Sequence, residues 1–555
     1  MTTQPRSKRP KQGFFLVLVL LVIIVATFGV YSFTGMMVAY DDAAYLTSDI
    51  VRARVAADSG SEAIRLILAQ PPIDRDASGG VFNNPNLFQA VGVSNQDTGN
   101  VCNFSVVAPS LNELGQLSGI RFGLQDESAK LNINTLTILD ENSEGLMSAL
   151  TLTAGTEDAA TDSAMPSSLA TALLLSLPGM TEELADSILD WLDEDDDPRP
   201  YGVEADYYST LPTPYEPTNG PVSSVEELLL VAGMTPTILF GADANRNGVL
   251  DPDEQQRFNV TVDTPGALGL AAYLTVYGNE ANKARDGSFC VNINADDLEV
   301  LYEDLVTALE DETYASFICA YRMAGQTTSL AGAVANAGNQ NNNNGDAVDG
   351  GMWSADYLES IDLSAGGSVE FKQVLDMVDA TVTISNNGQQ TIYQSPFTSL
   401  TAGVYLPLIM DKLSTNDTPT MPGRINLNEC PAELLYGIPV LDEEQVGLIL
   451  EARATESTDD NRNFETWPMV EGIVTLEQMR QLLPLVNAGG DVYRAQIVGY
   501  FESSGLSSRQ EVVLDATTVN PKVIFYRDLS HLGRAFDLSV LGIRNTAAVL
   551  GDSAN

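Results

Sequence analysis

Gly13-Phe14-Phe15-Leu16-Val17-Leu18-Val19-Leu20-Leu21-Val22-Ile23-Ile24-Val25 opens an uncharged run that lasts to Tyr40 and stops at Asp41-Asp42. Arg6, Lys8, Arg9 and Lys11 precede it, and no acidic residue occurs before Asp41. Read as helix, Phe14 to Tyr40 spans about 40 Å, more than the roughly 30 Å of bilayer hydrocarbon. The basic flank favours the cytoplasmic side, which sends the acidic remainder across the membrane. A secretory signal peptide would carry a shorter apolar segment and a small-x-small cleavage site. Beyond Asp42, helical spacing continues through Ala43, Leu46, Ile50, Ala53, Ala57, Gly60, Ile64 and Leu68 until Pro71-Pro72. The reading is one helix over 14–70, apolar all round at first and amphipathic afterwards.

The rest of the chain is acidic and foldable. Its 555 residues carry 75 acidic against 28 basic side chains, a net charge of -47, with 44% hydrophobic residues. That length allows roughly three or four domains at about 150 residues each. The charge argues against nucleic acid, whose phosphates need a Lys/Arg surface. His531 is the only histidine, so Ser-His-Asp or Cys-His catalysis would have to pass through it. Cys102, Cys290, Cys319 and Cys430 form no CxxC pair. In an exported head, Cys290 with Cys319 and Cys102 with Cys430 are conceivable disulfides, and sequence leaves the connectivity open.

Strand-like alternation occurs at 101–108, 119–124, 493–500 and 510–515. Between them three segments echo one another: Leu131-Asn132-Ile133-Asn134, Val291-Asn292-Ile293-Asn294 and Ile425-Asn426-Leu427-Asn428. Each reads as a strand end whose asparagines turn the chain towards a helix. Helical spacing marks Glu182 to Leu192, Ser223 to Val231, Asp297 to Leu309, Pro431 to Leu435, Asp442 to Arg453 and Leu476 to Leu483. The Leu177-Pro178-Gly179-Met180 turn before one of these resembles a helix-hairpin-helix unit. Residues 131–245, however, hold 21 acidic residues and one basic, Arg199. Such a surface repels phosphate, so the unit reads as a packing module and nucleic acid is not an expected partner. The low-complexity loop Asn339 to Asp349 reads as a mobile linker.

Asp243-Ala244-Asn245-Arg246-Asn247-Gly248-Val249-Leu250-Asp251-Pro252-Asp253-Glu254 fits the twelve-residue EF-hand loop at each defining position. Asp243, Asn245 and Asn247 are expected to offer side-chain oxygens, Val249 its carbonyl, Asp251 a direct or water-mediated oxygen and Glu254 two oxygens. Gly248 permits the sharp turn. With three carboxylates among the ligands and no equally good second loop, the expectation is a weak structural calcium site. The acidic run Asp190 to Asp197 reads first as a solvated helix end, with a second ion as the sharper alternative.

A short basic leader ending in Gly13, then Phe14 and an apolar helix, resembles the class III signal of type IV pilins and pseudopilins. The resemblance implies cleavage between Gly13 and Phe14 by a prepilin peptidase, and N-methylation of Phe14. Leu18 stands where most pilins place Glu to neutralise a neighbour's terminal amine. An unpaired charge in an apolar filament core is costly, which suits a subunit at a filament end. Further on come Asp126-Glu127-Ser128-Ala129-Lys130-Leu131-Asn132, the Asp190-Trp191-Leu192-Asp193-Glu194-Asp195 cluster, Gly202-Val203-Glu204 with Tyr207-Tyr208, and Ser224-Val225-Glu226-Glu227-Leu228. In this order they resemble the general secretion pathway protein K family of minor pseudopilins, over roughly residues 10 to 235 and more weakly near the C-terminus.

That resemblance implies an α+β fold: a long N-terminal pilin helix, and a pilin-like α/β head interrupted by a large helical, helix-hairpin-helix-like insertion. The expected division is a leader over 1–13, the helix over 14–70 and the first part of the head over 71–135. The acidic helical insertion with its calcium loop comes next over 136–290, additional modules over 291–490 and completing strands over 491–555. The resemblance also implies a non-enzymatic structural subunit, single-pass in the inner membrane with its bulk in the periplasm. Expected partners are the I- and J-type minor pseudopilins, the prepilin peptidase, and secreted cargo or the secretin. The expected position is the tip of the pseudopilus, where it would initiate assembly. The residues alone also allow an uncleaved single-pass, calcium-binding surface or adhesion protein.

Overall fold

The computed structural model describes residues 12–93, 101–140, 168–262, 264–327, 348–360, 362–386, 389–454 and 460–542. The basic residues from Arg6 to Lys11 and all but the end of the Asn339 to Asp349 loop lie outside these. Helix α1 runs Gln12–Leu68, close to the expected span. It holds an 18-residue window of mean hydropathy 2.7 that is wholly unburied, and no other described helix is long and apolar enough to cross a membrane. Its second half changes character. Ala53, Ala56, Ala57, Ile64 and Leu68 are buried there, with small residues facing a sheet.

That sheet is antiparallel throughout. Strands β1 (Val91–Gly92), β2 (Cys102–Leu111), β3 (Leu117–Phe122) and β4 (Gln125–Asp126) come from the first part of the chain. Val492–Phe501, Ser507–Asp515 and Lys522–Asp528 come from the last. The order is β1, β2, then those three strands in sequence, with β3 paired to β2 and β4 to Val492–Phe501. Alternation sorts the side chains onto two faces. Phe104, Val106, Ala495, Ile497, Val512 and Leu514 pack with Ala57 and Ile64 of α1. Val107, Val498 and Tyr500 face away and are covered by Phe536 and Leu541.

Glycine sets the distance between helix and sheet. A Cβ on Gly499 would intrude on the Ala53 carbonyl oxygen and stand 2.8 Å from Ala57 N. A Cβ on Gly60 would meet only side chains, Ile497 Cγ2 at 2.8 Å and Phe104 Cδ2 at 2.9 Å. Backbone therefore approaches backbone at Gly499, and this requires a residue without a side chain.

The insertion leaves the sheet after β4 and returns at Val492, and the two points are neighbours: Asp126 pairs with Tyr493 across strands. The Asp126 carboxylate accepts from Gly490 N at 2.7 Å, Asn426 Nδ2 at 2.9 Å and Ser128 N at 2.8 Å. Glu127, fully buried, accepts from Thr275 Oγ1 and from Arg494, whose other arm reaches Glu511 at 2.8 Å. One buried ion-pair group thus ties sheet to insertion.

Within the insertion the three echoing segments open three modules. Leu131–Asn132 pairs in parallel with Leu274–Thr275, Val291–Asn292 with Leu413–Ser414, and Ile425–Asn426 with Val486–Asn487. The first asparagine of each accepts the backbone N–H two residues on, at 3.1, 2.9 and 2.8 Å. The second donates to the carbonyl just past the closing strand: Asn134 to Val276, Asn294 to Thr415 and Asn428 to Ala488. The expected 291–490 region thus divides in two. Apolar side chains of all three modules merge into one core.

One expectation needs correction and one open reading closes. Ser223 to Val231 is a 3-10 turn over Val225–Leu230, because Glu227 folds back to accept Ser223 N and Oγ, each at 3.0 Å. All four cysteines are free, so neither conceivable disulfide forms. The thiols are spent elsewhere: Cys290 donates to Asp411 O at 3.4 Å, and Cys319 is buried in the helix Glu312–Ala324. Burial pushes the thiols of Cys102, Cys290 and Cys430 up to about 11 and that of Cys319 to about 12. They are inert.

Candidate functional site

The 243–254 loop comes after the short helix Pro236–Phe240 and leads into the helix Pro252–Phe258. Asp243 accepts Asn247 N at 3.0 Å on Oδ1 and Gly248 N at 2.8 Å on Oδ2. Asn247 Oδ1 accepts Val249 N at 2.9 Å. Glu254, buried, accepts Asn245 N at 3.1 Å and Asp251 N at 3.1 Å. Asp251 Oδ2 accepts the amides of Asn245 at 2.6 Å and Asn247 at 3.1 Å. All six expected residues are gathered in one loop, with Gly248 at φ 80° where the turn needs it. Asn245 Oδ1 is buried with no hydrogen-bond partner, the kind of acceptor a bound cation satisfies. Burial, reinforced by the Glu254 charge, pushes the Asp243 carboxyl up to about 6. The donor set, all oxygen and partly ionised, suits a hard cation such as calcium.

The loop is wedged between the first module and the sheet. Arg509, on the strand Ser507–Asp515, donates to Asn245 O, and Gln496 Nε2 donates to Arg246 O at 2.7 Å. Burial lowers the Arg509 guanidinium to about 10 against the pull of Asp243, Glu511, Asp251 and Glu254. These two sheet residues escaped the sequence reading, since neither lies near the motif in the chain.

The acidic run is not a simple solvated helix end. Asp195, Asp196 and Asp197 are exposed, but Asp190 is fully buried at the end of the helix Glu182–Leu192. The periodicity explains it: Asp190 shares the turn with Ile188, Leu189 and Trp191, all buried. Carboxylate oxygens of Asp190, Asp193 and Glu204 lie within 4.8 Å of one another. Arg199 Nη1 reaches Asp190 at 2.7 Å and also Asp193. Both Glu204 oxygens are buried without a hydrogen-bond partner. Nearby Tyr208 is fully buried, edge-on to Trp191 at 5.1 Å, and its hydroxyl accepts Ala232 N at 3.2 Å.

Burial, then the charges of Asp190, Asp193, Asp196 and Asp195, raise the Glu204 carboxyl to about 7. A carboxyl raised by folding favours its proton in the folded state. The associated stability is full below the ordinary glutamate range and is lost as pH rises through about 7. In chelator, denaturant midpoints should therefore fall between pH 5 and pH 8, and Glu204→Gln should flatten that fall. An unchanged profile in the variant would show that Glu204 is not the titrating group.

A cleft of about 1,090 Å³ where the modules meet the end of α1 is lined by ion pairs, among them Arg424–Glu280 at 2.6 Å. His531 is exposed on a short turn.

A long apolar helix continuing into an antiparallel sheet, with a head enlarged by insertion, makes a pilin-like fold with one helix able to cross a membrane. Residues 129–240 match the family model described as Type II secretion system (T2SS), protein K. That stretch, about a fifth of the chain, is thus similar to protein K of the type II secretion system. Among solved structures, it is similar to a chain of the GspK-GspI-GspJ complex from the enterotoxigenic Escherichia coli Type 2 Secretion System. That similarity covers 88% of this chain and 98% of the other, at 10% identity and a TM-score of 0.29, too loose to carry functional weight. No curated protein matches the sequence. The 243–254 loop begins just beyond the matched residues.

Proposed function

We propose that this chain is a protein K-type minor pseudopilin seated at the tip of the pseudopilus, where it initiates assembly with the I- and J-type minor pseudopilins. The observation that carries the reading is α1, whose apolar window is wholly exposed while its second half is fixed to the sheet. Such a helix needs lipid or neighbouring helices around it. The prepilin peptidase would cut between Gly13 and Phe14 and release the helix from the inner membrane into the filament. Leu18 leaves no carboxylate for a subunit packed above, and the insertion adds bulk where one would stack. Both support the tip. The bulk of the chain would then lie in the periplasm, within reach of secreted cargo or the secretin.

N-terminal sequencing and mass analysis of the membrane-extracted protein test the reading. A methylated Phe14 terminus and co-purification with I- and J-type pseudopilins are expected. An intact Met1 or Thr2 terminus would favour the uncleaved surface protein instead.

Calcium is the proposed structural cofactor, held by Asp243, Asn245, Asn247, Val249, Asp251 and Glu254. When bound it would supply a fixed positive centre that cross-links the loop. Asp190, Asp193 and Glu204 make a second candidate, favoured by the two orphaned Glu204 oxygens. Titration calorimetry of the detergent-solubilised chain should show calcium uptake that Asp243→Ala weakens by at least tenfold. No heat at millimolar calcium would sink the cofactor reading.

A further inference from the structure

Asn247 is a side chain with two jobs. It is 2% exposed. Its Oδ1 stays inside the loop on Val249 N, while Nδ2 donates to Ala535 O at 3.1 Å, 288 residues further along the chain. Ala535 is in turn under strain, with φ at 64°, a left-handed conformation that costs any residue bearing a Cβ. Such a backbone persists only where its surroundings hold it.

The segment after Ala535 serves as a cover. Phe536 and Leu541 lie over Val107, Val498 and Tyr500 on the sheet face opposite α1. The Tyr500 hydroxyl donates to Leu541 O at 3.0 Å, and Ser105 Oγ donates to the same carbonyl at 3.0 Å. The loop also grips the base of this segment: Arg509 donates through its guanidinium to Asn245 O, and its backbone N–H donates to Ser530 Oγ at 3.1 Å.

We propose that calcium in the 243–254 loop latches residues 533–542 over the outer sheet face, with Asn247 as the positioning residue. The inference rests on the calcium reading above. A cation bound to Oδ1 withdraws electron density from the amide and makes Nδ2–H a stronger donor to Ala535 O. It also fixes the amide's orientation, so the strained turn at Ala535 is held only while the loop is filled. Without the ion the segment lifts, and Val107, Val498 and Tyr500 become available for contact with another protein.

Hydrogen exchange of the full chain in detergent tests this, alongside calcium calorimetry on the same preparation. Amides of residues 536–542 should exchange at least tenfold more slowly in millimolar calcium than in chelator. Asn247→Asp keeps an oxygen ligand but removes the donor to Ala535 O, so at the calcium concentration that calorimetry shows to saturate the variant the slowing should be absent. Ala535→Gly removes the left-handed strain, so its segment should stay protected in chelator. Calcium uptake by the native chain with no change at 536–542 would overturn the latch and leave the binding site standing. Full slowing in Asn247→Asp would overturn it as well. No calcium uptake at all would remove the reading beneath it.

Discussion

Glu127→Ala is expected to destabilise the fold by about 3–5 kcal/mol, the usual cost of removing one partner from a buried ion pair. Glu127 has no exposure and is held by Arg494 and Thr275. Loss of its carboxylate leaves the Arg494 guanidinium with Glu511 alone, in a pocket that already lowers the ammonium of nearby Lys130 to about 8 by burial. The measurement is the urea midpoint of the detergent-solubilised chain. Changing Glu127 and Arg494 together to methionine should recover much of the loss, because two well-packed apolar groups leave no buried charge uncompensated. A loss below about 1 kcal/mol in the single variant would show that Glu511 suffices and that the link between sheet and first module lies elsewhere.

Gly499→Ala should be nearly as damaging, at about 3 kcal/mol, the upper end for overpacking. The added methyl meets backbone, the Ala53 carbonyl and Ala57 N, so α1 itself must move off the sheet. Gly60→Ala is the informative companion. Its new methyl meets the Ile497 and Phe104 side chains, which can change rotamer, so about 1–2 kcal/mol is expected. The same urea series reads both. Equal losses would mean that the contact yields by side-chain repacking at both positions.

The sequence disclosed what repeats locally. Residues 12–68 announced themselves by an unbroken apolar run and then helical spacing, and the main strands by alternation. The 243–254 loop was legible as a unit because its pattern is contained in twelve consecutive residues. Other features depend on distant partners. Nothing near Glu127 indicates Arg494, and nothing near Asn247 indicates Ala535. The acidic run Asp190 to Asp197 hid its buried first member, because composition is blind to which side of a helix turns inward. The Ser223 to Val231 spacing suits a helix, yet Glu227 serves its own backbone and tightens the turn. Cysteine spacing allowed bridges that the packing leaves unmade.

The insertion departs and returns at adjacent points of the sheet, where Asp126 meets Gly490 and Tyr493. Each of its three modules closes on its own opening strand, by a parallel pair and an asparagine bond. The insertion is therefore a set of self-closing units joined to the sheet at one point. The three units share one core, yet the chain enters and leaves it at a single place on the sheet. The bulk of the head beyond the sheet is set by the number of such units, while α1 stays seated on the sheet alone.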